Sequence, residues 1–587
     1  MSPIFPRGLL RELLGVVRLR DEDPLGGHPV SAPPVGAQAV ATAREHSRPL
    51  HPPRPRSRAA AIRSLKLGLA PAARLLDATA LALGLALLTA LVHWWARPEI
   101  LFLLLLGAVS LRLVVAPIVV PAFHPRRVLL TGVVAYALAF SFVTVSRHLT
   151  FLTHALDLGY YVQLTWNLAG GRGPRVSLPE MHAWGDHLSP IMYLFVPIFW
   201  VAPGPVVLLI AQSVALALGA LAVFGIARRR LGDGRPAAAF AVLYLVNPSL
   251  HGINVRDFHA AALAIPLLLA AIYGAETRRP WMFVAAALLT LLCREDAALA
   301  VVGLGAWLAV GRRRWLPGAL TAAAALAVLV VDIRWVIPWY RGAPYPHLGR
   351  YAHLGGSLGG ILTGALRHPL AVLESVLTGG RLVYLLAMLA PLGFLPLLSP
   401  VDLLGALPAL AQNLLSGDPI LQHHRTQYQA FVLPFLIVAA IAGYARVARR
   451  SDRWPAAVLG VAMVASLALA SRTVNNFALA RWWPATEQRA AYGMLAGVPP
   501  AATVSAQDPY VPHLSLRALV FVFPVGIEKS DYVLLNVATY PWRSLPDVTM
   551  ERDGQTVTIR VSPGREYRYA VAGEAGPHLS LRRLSSS

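Results

Sequence analysis

Apolar runs of membrane-spanning length recur along most of this chain, and no other feature limits its fold so strongly. By hydropathy they lie near 75–96, 99–121, 128–146, 205–227, 237–250, 260–275, 281–293, 297–310, 315–336, 382–398, 400–416, 430–446 and 455–471. A helix needs about 20 apolar residues to cross the hydrocarbon core. The expectation is therefore an all-α polytopic membrane protein of about 13 transmembrane helices, with one short pair able to be re-entrant. Composition agrees: 14% of the 587 residues are charged and mean hydropathy is +0.56, whereas soluble proteins carry about 25% charged residues. An ordinary cytosolic enzyme is excluded.

The formal charge of +23 would suggest a nucleic-acid partner if it formed one patch. Instead the arginines stand in short groups beside apolar runs: Arg126-Arg127, Arg228-Arg229-Arg230, Arg278-Arg279, Arg312-Arg313-Arg314 and Arg449-Arg450. That is how loop charge sets membrane orientation, so no nucleic acid is expected. Residues 1–72, rich in Pro, Ala, Gly and Arg, read as a disordered basic cytoplasmic tail, and the first span reads as an uncleaved anchor. With the tail inside, alternation puts all five arginine groups on the cytoplasmic side. Residues 73–474 then form the membrane domain. The lone Cys293 excludes an internal disulfide and reads as a buried small hydrophobe. Lys66 and Lys529 are the only lysines, a bias that suggests a GC-rich bacterial genome and hence a bacterial plasma membrane.

The same topology sends a different set of residues outside. The large external loop 147–204 carries Asp157, Glu180, His182, Asp186 and His187, with an apolar stretch at 188–201 too short to span and suited to an interfacial helix. Other external turns carry Arg256, Asp257 and His259; Arg294, Glu295 and Asp296; His347, Arg350, Tyr351 and His353; and His423, His424 and Arg425. Acids, histidines, arginines and aromatics mixed on one face have the composition of a site. Residues 475–587 have ordinary polar composition. They read as a small extracytoplasmic α/β domain with a helix near 485–497, strands at Thr503–Ala506, Leu519–Phe523 and Tyr532–Asn536, and a hairpin turning at Asp553-Gly554.

The run from Asp157 through Tyr160, Tyr161, Gln163, Trp166 and Asn167 to Gly171, followed by Gly185-Asp186-His187-Leu188-Ser189-Pro190, resembles the predicted membrane proteins of domain of unknown function 2079. So do Asn254 to His259, Cys293 to Asp296, Tyr351 to Ser357, Val504 to Asp508 and Pro512 to Ser515. That family in turn resembles the C-type (GT-C) glycosyltransferases, polytopic enzymes that use polyprenyl-phosphate sugars outside the membrane. The resemblance implies a GT-C-like fold and an acidic residue early in the first external loop, a position Asp157 occupies. His187-Leu188-Ser189-Pro190 then opens the interfacial helix. Asp157-Leu158 stands where many relatives have two adjacent acids.

On that resemblance the expected reaction moves a sugar from a polyprenyl-phosphate donor to an extracytoplasmic acceptor, with Asp157 as general base. The competing role for Asp157 is an N-cap on the following helix. Fixed cations must stabilise the departing phosphate, and Arg256, Arg294, Arg350 and Arg425 are the candidates, each weighed against local pairing. Tyr160, Tyr161, Gln163, Trp166, Asp186, His187, Asp257, His259, Glu295, Asp296 and His353 complete the expected substrate-binding set. No cofactor is expected; a divalent metal on His182, Asp186 and His187 with Asp157 is the one option, at spacings that match no strong motif. The rival functions are a transporter or lipid flippase, or a non-catalytic membrane scaffold.

Overall fold

Proline opens many of the longer helices, because its missing N–H falls where a helix has no acceptor for it and its φ is already helical. The computed structural model describes residues 56–116, 123–539, 545, 547–561 and 564–584. The chain divides between Leu75 and Leu76, and apart from α1 the description concerns the second unit. Residues 1–55 of the expected tail lie outside the described residues. From Arg56 the chain is already helical, as α1 (Arg56–His93); the Ala, Leu, Arg and Lys of 56–74 are strong helix formers, a propensity that the absence of an amphipathic period concealed.

Among the described residues, five helices are long and apolar enough to cross a membrane by themselves. They are the Pro71–His93 part of α1, α2 (Pro98–Val115), α3 (Pro125–Leu149), α5 (Pro205–Leu231) and the segment Trp315–Arg341; α4 (Tyr160–Ala169) is too short. Two bent pairs raise the count to seven: α6 (Gly234–Leu245) with α7 (Pro248–Val255), and Trp454–Leu469 with Ser471–Phe477. The remaining expected spans are shorter, interrupted or, like Leu433–Arg450, too rich in arginine, so the count of about 13 is not reached. In two of them prolines are the reason: 382–398 and 400–416 hold Pro391, Pro396, Pro400 and Pro408, each of which removes a helical hydrogen bond. There the chain forms Gly379–Leu389, short 3₁₀ turns, Pro400–Leu403 and Leu407–Leu415. The stretch 188–201 does not span either, being a 3₁₀ turn (Pro190–Phe195) followed by Val196–Val201.

The two kinds of charged residue occupy opposite ends of the helices. Arg230 at the end of α5 meets Glu276 at 2.5 Å and Asp402 at 3.0 Å, and Arg312 also pairs with Glu276. Three chain segments bearing arginine groups are thus tied together. Gln212, near the start of α5, hydrogen-bonds the Asp257 turn. Eighteen residues at 1.5 Å each separate Gln212 from Arg230, about 27 Å, close to the thickness of a hydrocarbon core. Within the membrane-length helices, Arg112 of α2 pairs with Asp77 of α1 at 2.7 Å; Cys293, just after the shorter helix Pro280–Leu291, is buried.

Beyond Phe477, among the described residues, seven strands form one mixed sheet in the order β4-β3-β5-β9-β8-β7-β6. β3 (Val504–Ala506) lies parallel to β4 (Val520–Val522) and β5 (Tyr532–Asn536). β6 (Val548–Asp553), β7 (Thr556–Val561), β8 (Arg565–Ala575) and β9 (His578–Arg583) continue antiparallel. Alternation along β5 serves two cores: Val533 and Leu535 pack with Ile559 and Leu581, whereas Leu534 packs with Val511, Leu514 and helix Thr486–Ala496. The second core also takes in Ala155 and Leu178 from the first loop. The C-terminal region is therefore built onto the segment that carries Asp157. A short hairpin in that loop, β1 (Arg175–Ser177) with β2 (Glu180–His182), joins it through Ser177, whose hydroxyl donates to the Val520 carbonyl at 2.6 Å.

Candidate functional site

Asp157 sits in a single π-helical turn, Ala155–Gly159, between α3 and α4, a local geometry frequent at functional sites. Its Oδ1 lies 3.1 Å from Nε2 of His259. Neither this turn nor α4 has a side-chain cap hydrogen bond, so the capping role is not the one Asp157 takes. An ionised carboxylate can only accept, which assigns the shared proton to His259; Nδ1 of that ring is buried without a partner.

Asp257 occupies the neighbouring turn in the left-handed region, at φ +69°, strained for a residue with a Cβ. One glutamine holds that turn: Gln212 donates to the Asp257 carbonyl at 2.8 Å and accepts from the His259 N–H at 2.8 Å. The Asp257 carboxylate in turn accepts from the His154 N–H at 2.8 Å. α6 and α7 deliver this turn through a 40° bend at Asn247-Pro248, where Asn247 caps α7 by accepting from Ser249.

A cavity of about 330 Å³ opens over these groups, lined by Arg147, His154, Asp157, Arg256, Asp257, His423 and Arg425 among others. Burial and the Asp157 carboxylate push Asp257 up to about 6. Burial also acts to raise Asp157, but His259 and Arg256 outweigh it and hold Asp157 below its ordinary value. Two adjacent carboxylates are thereby driven apart, one firmly ionised and one titrating near neutrality, the usual mark of divided acid–base roles. Their access differs too. The Asp157 side chain is 32% exposed, whereas Asp257 is 2% exposed.

The cations around the cavity are incompletely satisfied. Arg425 donates from Nη2 to Thr473 at 3.1 Å, and Arg147, at the end of α3, donates to Asn476 and to the Leu152 carbonyl. Nη1 of Arg425 and Nε of Arg147 are buried without hydrogen-bond partners. Burial and the nearby Arg472 bring Arg425 down to about 10, leaving it charged at neutral pH. Guanidinium donors directed at no protein acceptor suit a phosphate.

A second polar cluster is closed on itself. Arg294 grips Asp296 with two 2.6 Å hydrogen bonds and lies over Tyr428 and Phe431, and Gln412 donates to Asp296. Glu295 accepts from His187, Tyr345 and the Leu188 N–H. Arg350 pairs with Asp418 and donates to the Tyr428 hydroxyl, with His353 beside Gly417. Expected as substrate contacts, Arg294, Glu295, Asp296 and Arg350 spend their charge on each other or on neighbours, because buried charges must be paired. The expected α4 residues are engaged within the protein as well. Tyr160 donates to the Ala183 carbonyl, Tyr161 is buried, Gln163 bonds Ser177 and the Arg517 carbonyl, and Trp166 carries Arg172 on its face at 3.6 Å.

Among the described residues, the group able to hold a divalent ion is Asp186, His187 and His347, whose ligand atoms lie within 4.8 Å of one another. Nδ1 of His187 is fixed by Glu295 at 2.8 Å, the arrangement that orients metal-ligating imidazoles. His187 is raised, Glu295 outweighing burial, and Asp186 is lowered, its histidine neighbours outweighing burial. His182, expected in such a set, stacks on Tyr340 instead, and Asp157 belongs to the other cluster.

Of the expected residues, Asp157, Arg256, Asp257 and Arg425 therefore meet at one cavity, with His259 behind Asp157. Sequence reasoning missed Arg147, His154 and Gln212; the available signals were an arginine closing a span and a glutamine inside one. Residues 147–560 match DUF2079, described as a predicted membrane protein. The chain belongs to that family. Within DUF2079, then, this chain is a mostly helical membrane protein with a C-terminal sheet region. No curated protein matches it in sequence. Its structure is similar to those of ArnT from Cupriavidus metallidurans bound to undecaprenyl phosphate and of the same protein in the apo state. Both are 14% identical at a TM-score of 0.44, covering 78% of this chain and 99% and 98% of theirs.

Proposed function

We propose that this protein is a GT-C-like membrane glycosyltransferase that moves a sugar from a polyprenyl-phosphate donor to an extracytoplasmic acceptor, with Asp157 as general base. The observation that carries the reading is the cavity that a partly exposed, ionised carboxylate lines together with Arg147, Arg256 and Arg425. A lipid-phosphate sugar brings its own leaving group, so the protein needs one base and fixed positive charge. Asp157 takes the proton of the acceptor hydroxyl as its oxygen bonds the sugar's anomeric carbon. The carbon–phosphate oxygen bond breaks with its electron pair, and the phosphate departs toward Arg425, Arg147 and Arg256. His259 fixes the direction of the Asp157 carboxylate. The proposed location is a bacterial plasma membrane with the N-terminus inside and the cavity extracytoplasmic, a reading supported by the placement of Gln212 and Arg230 at opposite ends of α5 and by the positive-inside rule.

The test is incubation of purified protein with labelled polyprenyl-phosphate sugars and a membrane extract as acceptor, comparing wild type with Asp157→Asn. The expected result is transfer by wild type that falls at least about 100-fold in the variant. Equal transfer by both would remove Asp157 from the reaction.

A further inference from the structure

The turn bearing Asp157 is held from outside the membrane helices. Oδ1 of Asp508, just after β3, accepts from the Ala155 N–H at 2.9 Å, and Oδ2 of the same carboxylate lies 2.6 Å from Nδ1 of His154. Both partners stand within three residues of Asp157. Neither is a generic contact: one is a backbone donor in the first π turn, and the other is a ring that lines the cavity. The far side of His154 is fixed as well, since its N–H goes to Asp257. The segment is thus clamped between a carboxylate from the C-terminal region and one from the α7 turn.

Locally this turn has its own backbone hydrogen bond, from the Gly159 N–H to the His154 carbonyl at 3.2 Å, but no side-chain cap, and π-helical turns are rare. Supporting contacts come from the same distant region: Gln488 donates to the Thr150 carbonyl, Tyr492 donates to the Leu149 carbonyl, and Ala155 is buried in the core around Val511 and Leu514. Among these, only Asp508 bonds inside the turn through a charged group.

We propose that Asp508 is a positioning residue for Asp157, and that the C-terminal region thereby completes the reaction site instead of hanging from it. The part that concerns catalysis rests on the reading of Asp157 as the base; the mechanical part does not. A carboxylate is needed because it can accept from an N–H and an imidazole at once. Loss of it frees the turn while leaving the arginine cavity, on other segments, in place.

The experiment uses the full chain in detergent, as wild type, Asp508→Ala, Asp508→Asn and Glu180→Gln. Glu180 is the control, for it joins the first loop to the C-terminal region through an exposed ion pair with Lys529 away from Asp157. The first readout is hydrogen exchange of a peptide covering 153–160. Asp508→Ala is expected to exchange at least about 10-fold faster there, Asp508→Asn by less, and Glu180→Gln not at all. The second is transfer kinetics, in which Asp508→Ala lowers kcat by about 10- to 100-fold, the scale of a misplacement near 1 Å, with the donor KM within about twofold. Unchanged exchange in Asp508→Ala would overturn the proposal whatever the enzyme does. If Asp508→Ala does not fold, Asp508→Asn decides by the same exchange measurement. Inactive wild type with accelerated exchange in the variants would count against the glycosyltransferase reading and leave the clamp standing.

Discussion

Replacing Asp257 by asparagine should make the protein more stable, and only above a definite pH. The carboxylate is buried beside that of Asp157, and its proton is held up to about 6 against an ordinary value of 3.8. An acid whose folded value is raised destabilises the fold once it ionises. Stability is highest below the unfolded value and is lost as pH rises through the folded one. The window is therefore about pH 4 to 7, and the displacement corresponds to about 3 kcal/mol across it. Asparagine keeps an oxygen for the His154 N–H and cannot ionise. The assay is unfolding of wild type and Asp257→Asn in the same detergent from pH 4 to pH 8, taking the difference so that common titrations cancel. The two should coincide near pH 4, with the variant pulling ahead by about 3 kcal/mol at pH 8. In an Asp157→Asn background the same comparison should give a smaller gain, because the Asp157 carboxylate is one cause of the shift. A difference that is flat with pH would refute the argument, and a gain undiminished in that background would assign the whole effect to burial.

Three other outcomes are expected. Gly252→Ala would place a Cβ 2.5 Å from the Cα of Arg425 and 2.7 Å from its carbonyl oxygen, so the backbone must move; a stability loss of about 1–3 kcal/mol should appear as a lower thermal midpoint together with weaker transfer. Arg425→Gln removes charge-assisted donors worth about 1.5–3 kcal/mol, and titration with a polyprenyl phosphate should find binding weakened about 10- to 100-fold. Asp296→Ala strands the Arg294 charge in the interior at about 3–5 kcal/mol, whereas replacing both residues by apolar ones of similar volume should recover most of that loss in a thermal unfolding series.

Several C-terminal strands were readable in advance because their signal is local, though β8 and β9 were not. Thr503–Ala506, Leu519–Phe523 and Tyr532–Asn536 differ from the observed strands by at most a residue at either end, and the Gly554 turn at φ +56° favours a residue without a Cβ. The number of spans was not readable. Hydropathy sums along the chain without registering that Pro248 bends one apolar segment, or that Pro391, Pro396, Pro400 and Pro408 break two others. At the site, residue type alone selected candidates of both clusters equally. The sequence offers Arg294 an aspartate two residues on, but only the fold closes its fork on that carboxylate, whereas the Arg425 side chain finds Thr473 and a cationic neighbour.

By itself, then, the sequence determined the solvent this protein folds in, the separation of arginine groups from a mixed polar face, and the residue types available there. These follow from the transfer energies of single side chains and from periods a few residues long. Only the tertiary structure decided which charges cancel and which remain free, and that Asp157 is held by His259 on one side and, through its turn, by Asp508 from about 350 residues away. Pairing energy depends on distances between segments that the chain brings together only on folding, so no local pattern records it.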